Sequence, residues 1–139
     1  MFRATEEIYD AFRADNLHCN KGLNGESSYV SAGISTKLVN FKVLFISTDD
    51  DSDVAMRVYN FIRFDETKLS AVIAAVNSLN AKFRYIKFIV DTDDNSITIS
   101  WDFPVRCNNI GDTAVEMTIR LMRMADEAYS ELMRTIWAS

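Results

Sequence analysis

The chain has 139 residues, of which 48% are hydrophobic and 25% are charged. This length and composition predict one globular domain over residues 1–139 and argue against disorder. Its formal net charge of -5 repels phosphate backbones and argues against nucleic acid as a partner. No apolar run approaches the roughly 20 residues of a membrane span, and the N-terminus carries no export signal. We therefore expect a cytoplasmic protein with no membrane partner, in which Cys19 and Cys107 are free thiols.

The first half of the chain predicts a helix followed by three or four strands. Residues 3–16 place apolar side chains four apart, as on one face of a helix. Strand patterns follow at residues 29–34, 38–46 and 54–64, and the acidic stretch at residues 48–53 predicts a solvated hairpin loop between the last two. The number of strands within residues 18–28 is left open.

The strand at residues 38–46 has apolar side chains on both faces. One face carries four alternating residues, which are Val39, Phe41, Val43 and Phe45. The opposite face carries Leu44 and Ile46, which indicates that this side of the sheet is also partly covered.

A helix and a hairpin follow. Asp65 is placed to cap a helix over residues 66–82, whose core-facing stripe comprises Leu69, Val72, Ile73, Val76, Leu79 and Phe83. Residues 85–90 and 97–103 then predict two strands joined by an acidic turn. The second strand has the strict alternation of a half-buried antiparallel strand, with Ile97, Ile99, Trp101 and Phe103 on one face. Pro104 ends it, because proline cannot donate to a ladder.

The last element is a long helix over residues 113–137, where Thr113 and Glu116 fit a capping box. The order of elements predicts an α+β fold. An antiparallel sheet carries an N-terminal helix, a middle helix and a long C-terminal helix, in the order helix, three or four strands, helix, two strands, helix.

The apolar arc of the C-terminal helix spans more than half of its circumference. Its centre comprises Leu121, Ala125, Ala128, Leu132 and Ile136, and its flanks add Val115, Met117, Ile119, Met122, Met124, Met133 and Trp137. Packing on one sheet uses an arc of only about 100°, so a second cover is required. That cover is another helix of the chain, a second copy, or a partner. The predicted partner or dimer surface comprises Met117, Leu121, Met122, Met124, Ala128, Met133 and Trp137.

Metal and nucleophile chemistry have little support in the sequence. The single histidine, His18, and the two cysteines lack the spacing of a zinc site, and His18 does not form a nucleophilic triad with a neighbouring residue. No phosphate loop, dinucleotide fingerprint or nucleophile elbow occurs. We therefore expect no cofactor and no metal.

Two acidic alternatives remain open. Asp91, Asp93, Asn95 and Asp102 mimic positions one, three, five and twelve of a calcium loop, but Ser96 stands where glycine makes the turn, which favours a solvated acidic turn over a weak calcium site. A hydrolase-like enzyme would use Asp102 and Asp126 as dispersed carboxylates. For Asp126, on an apolar flank of the last helix, the expectation is a structural hydrogen bond.

Short motifs spread along the chain resemble the YbjN family of bacterial sensory-transduction regulators. They lie at residues 29–35, 77–80, 87–91, 102–104 and 126–133. Within them the resemblance marks structural positions at Asn77, Asn80, Phe88, Asp102, Pro104, Asp126 and Tyr129.

The resemblance implies a fold similar to that of type III secretion chaperones, which are small, acidic, dimeric proteins that hold segments of other proteins without catalysis. The resulting prediction is a single YbjN-like domain that is not an enzyme. It would be a protein-binding module, chaperone-like or regulatory, with an unidentified protein and a second copy of itself as partners.

Overall fold

A computed structural model describes residues 1–138 and consists of three α-helices packed on a six-stranded antiparallel sheet. The helices are α1 (Arg3–Ala14), α2 (Leu69–Lys82) and α3 (Ile110–Ile136). The strands are β1 (Asn20–Asn24), β2 (Ser27–Ser35), β3 (Asn40–Ser47), β4 (Asp53–Arg63), β5 (Lys87–Asp91) and β6 (Ser96–Pro104). The predicted α+β class and the order of elements are confirmed, with four strands before α2.

The strand order is β1-β2-β3-β4-β6-β5, so β1 and β5 form the two edges of the sheet. Three hairpins join β1 to β4 as a meander, and the β5–β6 hairpin pairs with β4 through β6. The β4–β6 register shifts between Val58 and Ile62, where Asn60 has a φ of 52°. This bulge leaves Tyr59 exposed and buries Phe61.

All three helices pack on one face of the sheet. The ring of Phe12 in α1 contacts Phe45 in β3 with centroids 5.7 Å apart, and Tyr129 in α3 contacts Phe61 at 6.4 Å. The alternate side chains of the central strands therefore lie on the other face, which no helix of residues 1–138 covers. We call that second side of the sheet the open face.

The centre of the wide apolar arc of α3 is covered within the chain by α1, α2 and the sheet, whereas Ile119 and Trp137 on its flank stay exposed. A Cβ built on Gly111 would lie 2.7 Å from both the Cβ of Ala11 and the carbonyl oxygen of Glu7, so the absence of a side chain lets α1 approach closely. The sequence allowed three covers for this arc, which were another helix of the chain, a second copy or a partner. In the structure, other helices of the same chain form the cover. The arc therefore gives no independent argument for a partner.

The start of α3 differs from the prediction. The helix begins at Ile110 after Asn109, which has left-handed geometry and no side-chain cap, and the Thr113 hydroxyl lies 3.4 Å from the Asn108 carbonyl. The capping box is therefore wrong, because burial of Ile110 and Gly111 against α1 carries the helix three residues further back. By contrast, the predicted cap at Asp65 is confirmed, since its carboxylate accepts from the Thr67 N–H at 2.9 Å. It caps a short 3-10 helix, Glu66–Lys68, which leads into α2 at Leu69.

The acidic loop between β3 and β4 is more ordered than a simple solvated turn. Asp49 Oδ1 accepts hydrogen bonds from the N–H groups of Asp51 and Ser52, and these bonds lower the pKa of the Asp49 carboxyl. The carboxylate of Asp50 accepts from the Arg3 N–H at 2.8 Å. A negative charge thereby lies at the N-terminus of α1, where the helix dipole favours it.

Candidate functional site

Three of the residues predicted to form a partner surface on α3 lie in the core. Leu121 and Ala128 are fully buried, and Met117 is 4% exposed. The chain's own helices and sheet cover them, because they face the sheet or the neighbouring helices. This corrects the expectation that they contact a partner.

The other four predicted surface residues remain partly accessible but do not form one surface. Met122, Met124 and Met133 are half-buried, whereas Trp137 at the end of α3 is 81% exposed. Met124 lines a shallow groove between the end of α2 and α3, together with Phe83, Ile119 and the charged side chains of Glu116, Arg120 and Arg123. Trp137 lies in a separate groove beside Phe64 and Lys68.

Asp126 has the structural role that its position on α3 predicts. Its Oδ1 accepts hydrogen bonds from the Thr36 hydroxyl and from the Leu38 N–H, the latter at 3.3 Å. The Thr36 hydroxyl in turn accepts from the Val39 N–H at 3.2 Å. Asp126 therefore fastens the β2–β3 loop to α3.

Asp102 lies on the opposite side of the sheet from Asp126. It faces outward between the inward-facing Trp101 and Phe103, and pairs with Arg57 at 2.6 Å. The sheet thus separates the two carboxylates of the hydrolase-like alternative, and they do not form a shared site. Within residues 1–138, no group of three His, Cys, Asp or Glu side chains has the geometry of a metal site.

The acidic β5–β6 turn is organised by its own hydrogen bonds. Asp91 Oδ1 accepts from the Asp93 N–H at 2.9 Å, and Asp94 accepts from the Ser96 hydroxyl at 2.6 Å. Asn95 has a φ of 54°, and its carbonyl accepts from the Phe64 N–H. Hydrogen bonds of this kind are usual in a tight turn. The carboxylates of the turn, as placed within residues 1–138, do not form the set of ligands that the calcium alternative requires.

The open face carries a cluster of apolar side chains at its β1–β4 end. Tyr29, Leu44, Ile46 and Tyr59 line a shallow depression of about 530 Å³, and we call these four residues the open-face patch. Leu44 and Ile46 are half-buried, and Tyr59 is 53% exposed. The pair Leu44 and Ile46 was the signal in the sequence for a second apolar face. No element of residues 1–138 supplies the cover that it indicated.

The aromatic end of the patch folds over the edge strand. Tyr29 pairs with Gly22 across β1 and β2, and a Cβ on Gly22 would lie 2.6 Å from the Tyr29 hydroxyl oxygen. Gly22 therefore lets the Tyr29 ring lie across β1, where it extends the apolar surface towards the edge of the sheet.

The two edges of the sheet differ in the side-chain hydrogen bonds that their strands receive. At the β5 edge, the side-chain amide of Asn80 hydrogen-bonds both the N–H and the carbonyl of Phe88, at 2.7 and 3.0 Å. At the β1 edge, the bonds from side chains within residues 1–138 are the Ser27 hydroxyl to the Asn24 carbonyl and the ion pair of Lys21 with Glu6. Bonding with Glu6 raises the pKa of the Lys21 ammonium. The β1 edge is thus open to pairing and lies next to the open-face patch.

Of the remaining family-motif positions, Pro104 and Tyr129 have structural contacts and Asn77 does not. Pro104 ends β6 opposite Asp53, and Tyr129 packs edge-on against Phe61. Asn77 is exposed on α2.

Cys19 and Cys107 are free thiols, and burial raises the pKa of Cys19, which disfavours a reactive thiolate.

The geometry defines a two-layer α+β domain with helices on one side of the sheet and an apolar patch on the other. None of the helices in residues 1–138 is long and apolar enough to cross a membrane. No curated protein matches this chain. The chain belongs to the YbjN family, described as "putative bacterial sensory transduction regulator", whose profile matches residues 25–134.

Proposed function

We propose that this protein is a non-enzymatic regulatory module that binds another protein through the open face. The observation that carries the proposal is the open-face patch. It places four large side chains from three strands on a surface that no helix of residues 1–138 covers. A contiguous exposed apolar surface with a polar rim is typical of a protein-interaction site.

The family description supports a regulatory role, and the separation of Asp102 from Asp126 argues against a shared acid–base site. A chaperone-like form of this function, in which a segment of another protein is held without chemical change, is what the likeness to type III secretion chaperones implies. The free β1 edge beside the patch suits such a segment, because an added strand would continue the sheet.

The test uses two charge insertions at apolar surface positions. Leu44→Lys places a charge in the open-face patch, and Ile73→Lys places one on α2, where Ile73 is 49% exposed contrary to the predicted core stripe. We expect both variants to fold, as judged by circular dichroism and thermal melting. Only Leu44→Lys should lose the proteins that co-purify with the wild type from a lysate of the source cell. Equal capture by both variants would overturn the proposal.

A further inference from the structure

Beside the open-face patch lies Lys42, a cation that forms no ion pair within residues 1–138. Lys42 lies in β3 two residues from Leu44, so both side chains point to the open face. It is exposed and lines the same depression as Tyr59. The seven ion pairs found within residues 1–138 do not include Lys42.

The strand next to Lys42 leaves space beside its ammonium. Its cross-strand partner on β2 is Gly33, and a Cβ built there would meet no atom within 4 Å. The lysine therefore has a gap on one side and the apolar patch on the other. A ligand group that approaches Lys42 over Gly33 would therefore meet no side chain at that position of β2.

The charge of the depression that the open-face patch lines contrasts with that of the whole chain. Lys42 is the one charged residue among those of residues 1–138 that line the depression. Elsewhere on the open face, Arg57 is paired with Asp102, and the Lys87 ammonium donates to the carbonyls of Asn80 and Phe83. An apolar depression whose single lining charge is positive, on a chain of net charge -5, indicates a partner with the opposite charge. A second copy bound symmetrically through this depression would present another Lys42 and no lining carboxylate to pair with it, which disfavours a second copy as the partner.

We propose that the open face binds an acidic–apolar segment of another protein, whose carboxylate pairs with Lys42 while its apolar side chains cover the open-face patch. This inference rests on the proposed function and adds the chemistry of the partner. Exposed tyrosines and cations on a sheet also occur in proteins that bind single-stranded nucleic acid. The acidic balance of the chain argues against that ligand here, and the test includes it as an outcome.

The probe is a random peptide library displayed on phage and selected against the full chain. We expect the enriched peptides to combine Asp or Glu with large apolar residues. Selection against Lys42→Glu should lose or reverse the acidic preference, and wild-type-selected peptides should bind this variant roughly tenfold or more weakly. The matched control is Lys37→Glu, which changes an exposed lysine of the β2–β3 loop and should leave both results unchanged.

The outcomes separate this inference from the proposed function. Peptides that lose binding on Leu44→Lys but bind Lys42→Glu normally would overturn the role of Lys42 and leave the open face as the binding surface. Peptides insensitive to both changes would overturn both. Enrichment without acidic residues, or binding of a fluorescent single-stranded oligonucleotide that Lys42→Glu abolishes, would also overturn the acidic–apolar segment.

Discussion

The side-chain amide of Asn80 occupies both backbone hydrogen-bonding groups of Phe88. Its Nδ2 donates to the Phe88 carbonyl at 3.0 Å, and its Oδ1 accepts from the Phe88 N–H at 2.7 Å. Since β5 is an edge strand, these are groups that a seventh strand would use. One residue of α2 thus closes the centre of this edge and leaves β1 as the edge without such a cover.

Asn80→Ala should destabilise the fold and expose the β5 edge. The variant leaves a part-buried N–H and carbonyl without partners, for which the expected loss is about 1–3 kcal/mol in the free energy of unfolding. Urea unfolding measures the loss, and light scattering over time measures self-association through the free edge. Asn77→Ala, at an exposed position of the same helix, is the control. Equal effects of the two changes would contradict the role of Asn80.

Gly111→Ala should destabilise the protein although alanine favours helices. Helix propensity would add about 1 kcal/mol, but the new Cβ would lie 2.7 Å from Ala11 and from the Glu7 backbone, where overpacking costs about 1–3 kcal/mol. Thermal melting should therefore give a lower midpoint than the wild type. Gly33→Ala, with open space around the new Cβ, should be neutral or slightly stabilising. A Gly111→Ala protein that melts higher than the wild type would mean that α1 moves away without cost.

Asp126→Ala should reduce stability without changing the selected peptides. It removes the acceptor for the Thr36 hydroxyl and the Leu38 N–H, and hydrogen bonds to a charged group contribute about 1.5 kcal/mol or more. Asp102→Ala removes a surface ion pair and should cost less than about 1 kcal/mol. Denaturant unfolding of both variants compares the two losses. The comparison fails if Asp102→Ala is the more destabilising change.

Acid should weaken the β3–β4 loop through Asp49. Backbone hydrogen bonds lower the pKa of this carboxyl in the folded state, so its contribution is complete above the ordinary aspartate pKa of about 3.9 and is lost as the pH falls through the lower folded value. Asp49→Asn should melt below the wild type at neutral pH, and the difference should shrink in strong acid. Asp93→Asn, which removes a carboxylate from the exposed β5–β6 turn, is the matched control. An Asp49→Asn protein that melts with the wild type at neutral pH would contradict the prediction.

The homodimer that the sequence predicts stays a prediction, and a Met124→Glu variant tests it. The accessible part of the predicted surface includes Met124, in the groove with Phe83 and Ile119. If this groove is the dimer interface, Met124→Glu should convert a dimer into a folded monomer of 15.8 kDa by light scattering. Met122→Glu, on the other flank of α3, should keep the wild-type mass. A wild-type monomer would contradict the prediction.

The parts of the fold that follow from local periodicity were predictable. The alternation of Ile97, Ile99 and Phe103 gives β6 its buried face, and all three are buried in the structure. Residues 20–24 lack such alternation because β1 lies at the edge with little burial, so the sequence left this strand open. Periodicity also gave the width of the apolar arc on α3 but not its cover, because contact with α1 joins segments far apart in the chain.

No single segment of the sequence could predict the open-face patch. Leu44 and Ile46 already indicated a second apolar face on β3, but Tyr29 and Tyr59 join them only through the strand order β2-β3-β4. The role of Asn80 was equally hidden, since its partner Phe88 lies in the next element and the contact depends on how α2 packs beside β5. Pairing across elements, and not residue type, decides both features.

The contact of α1 with α3 has a consequence for synthesis. The apolar side of α1, with Ala4, Ile8 and Phe12 all fully buried in the finished fold, leaves the ribosome before its cover exists. The chain between Ala11 and Gly111 spans about 100 residues, which at bacterial elongation rates corresponds to roughly 5–20 s. During that interval α1 has only earlier elements such as β3, through Phe45, to pack against. The side of α1 that later contacts α3 is open to chaperones and to neighbouring chains.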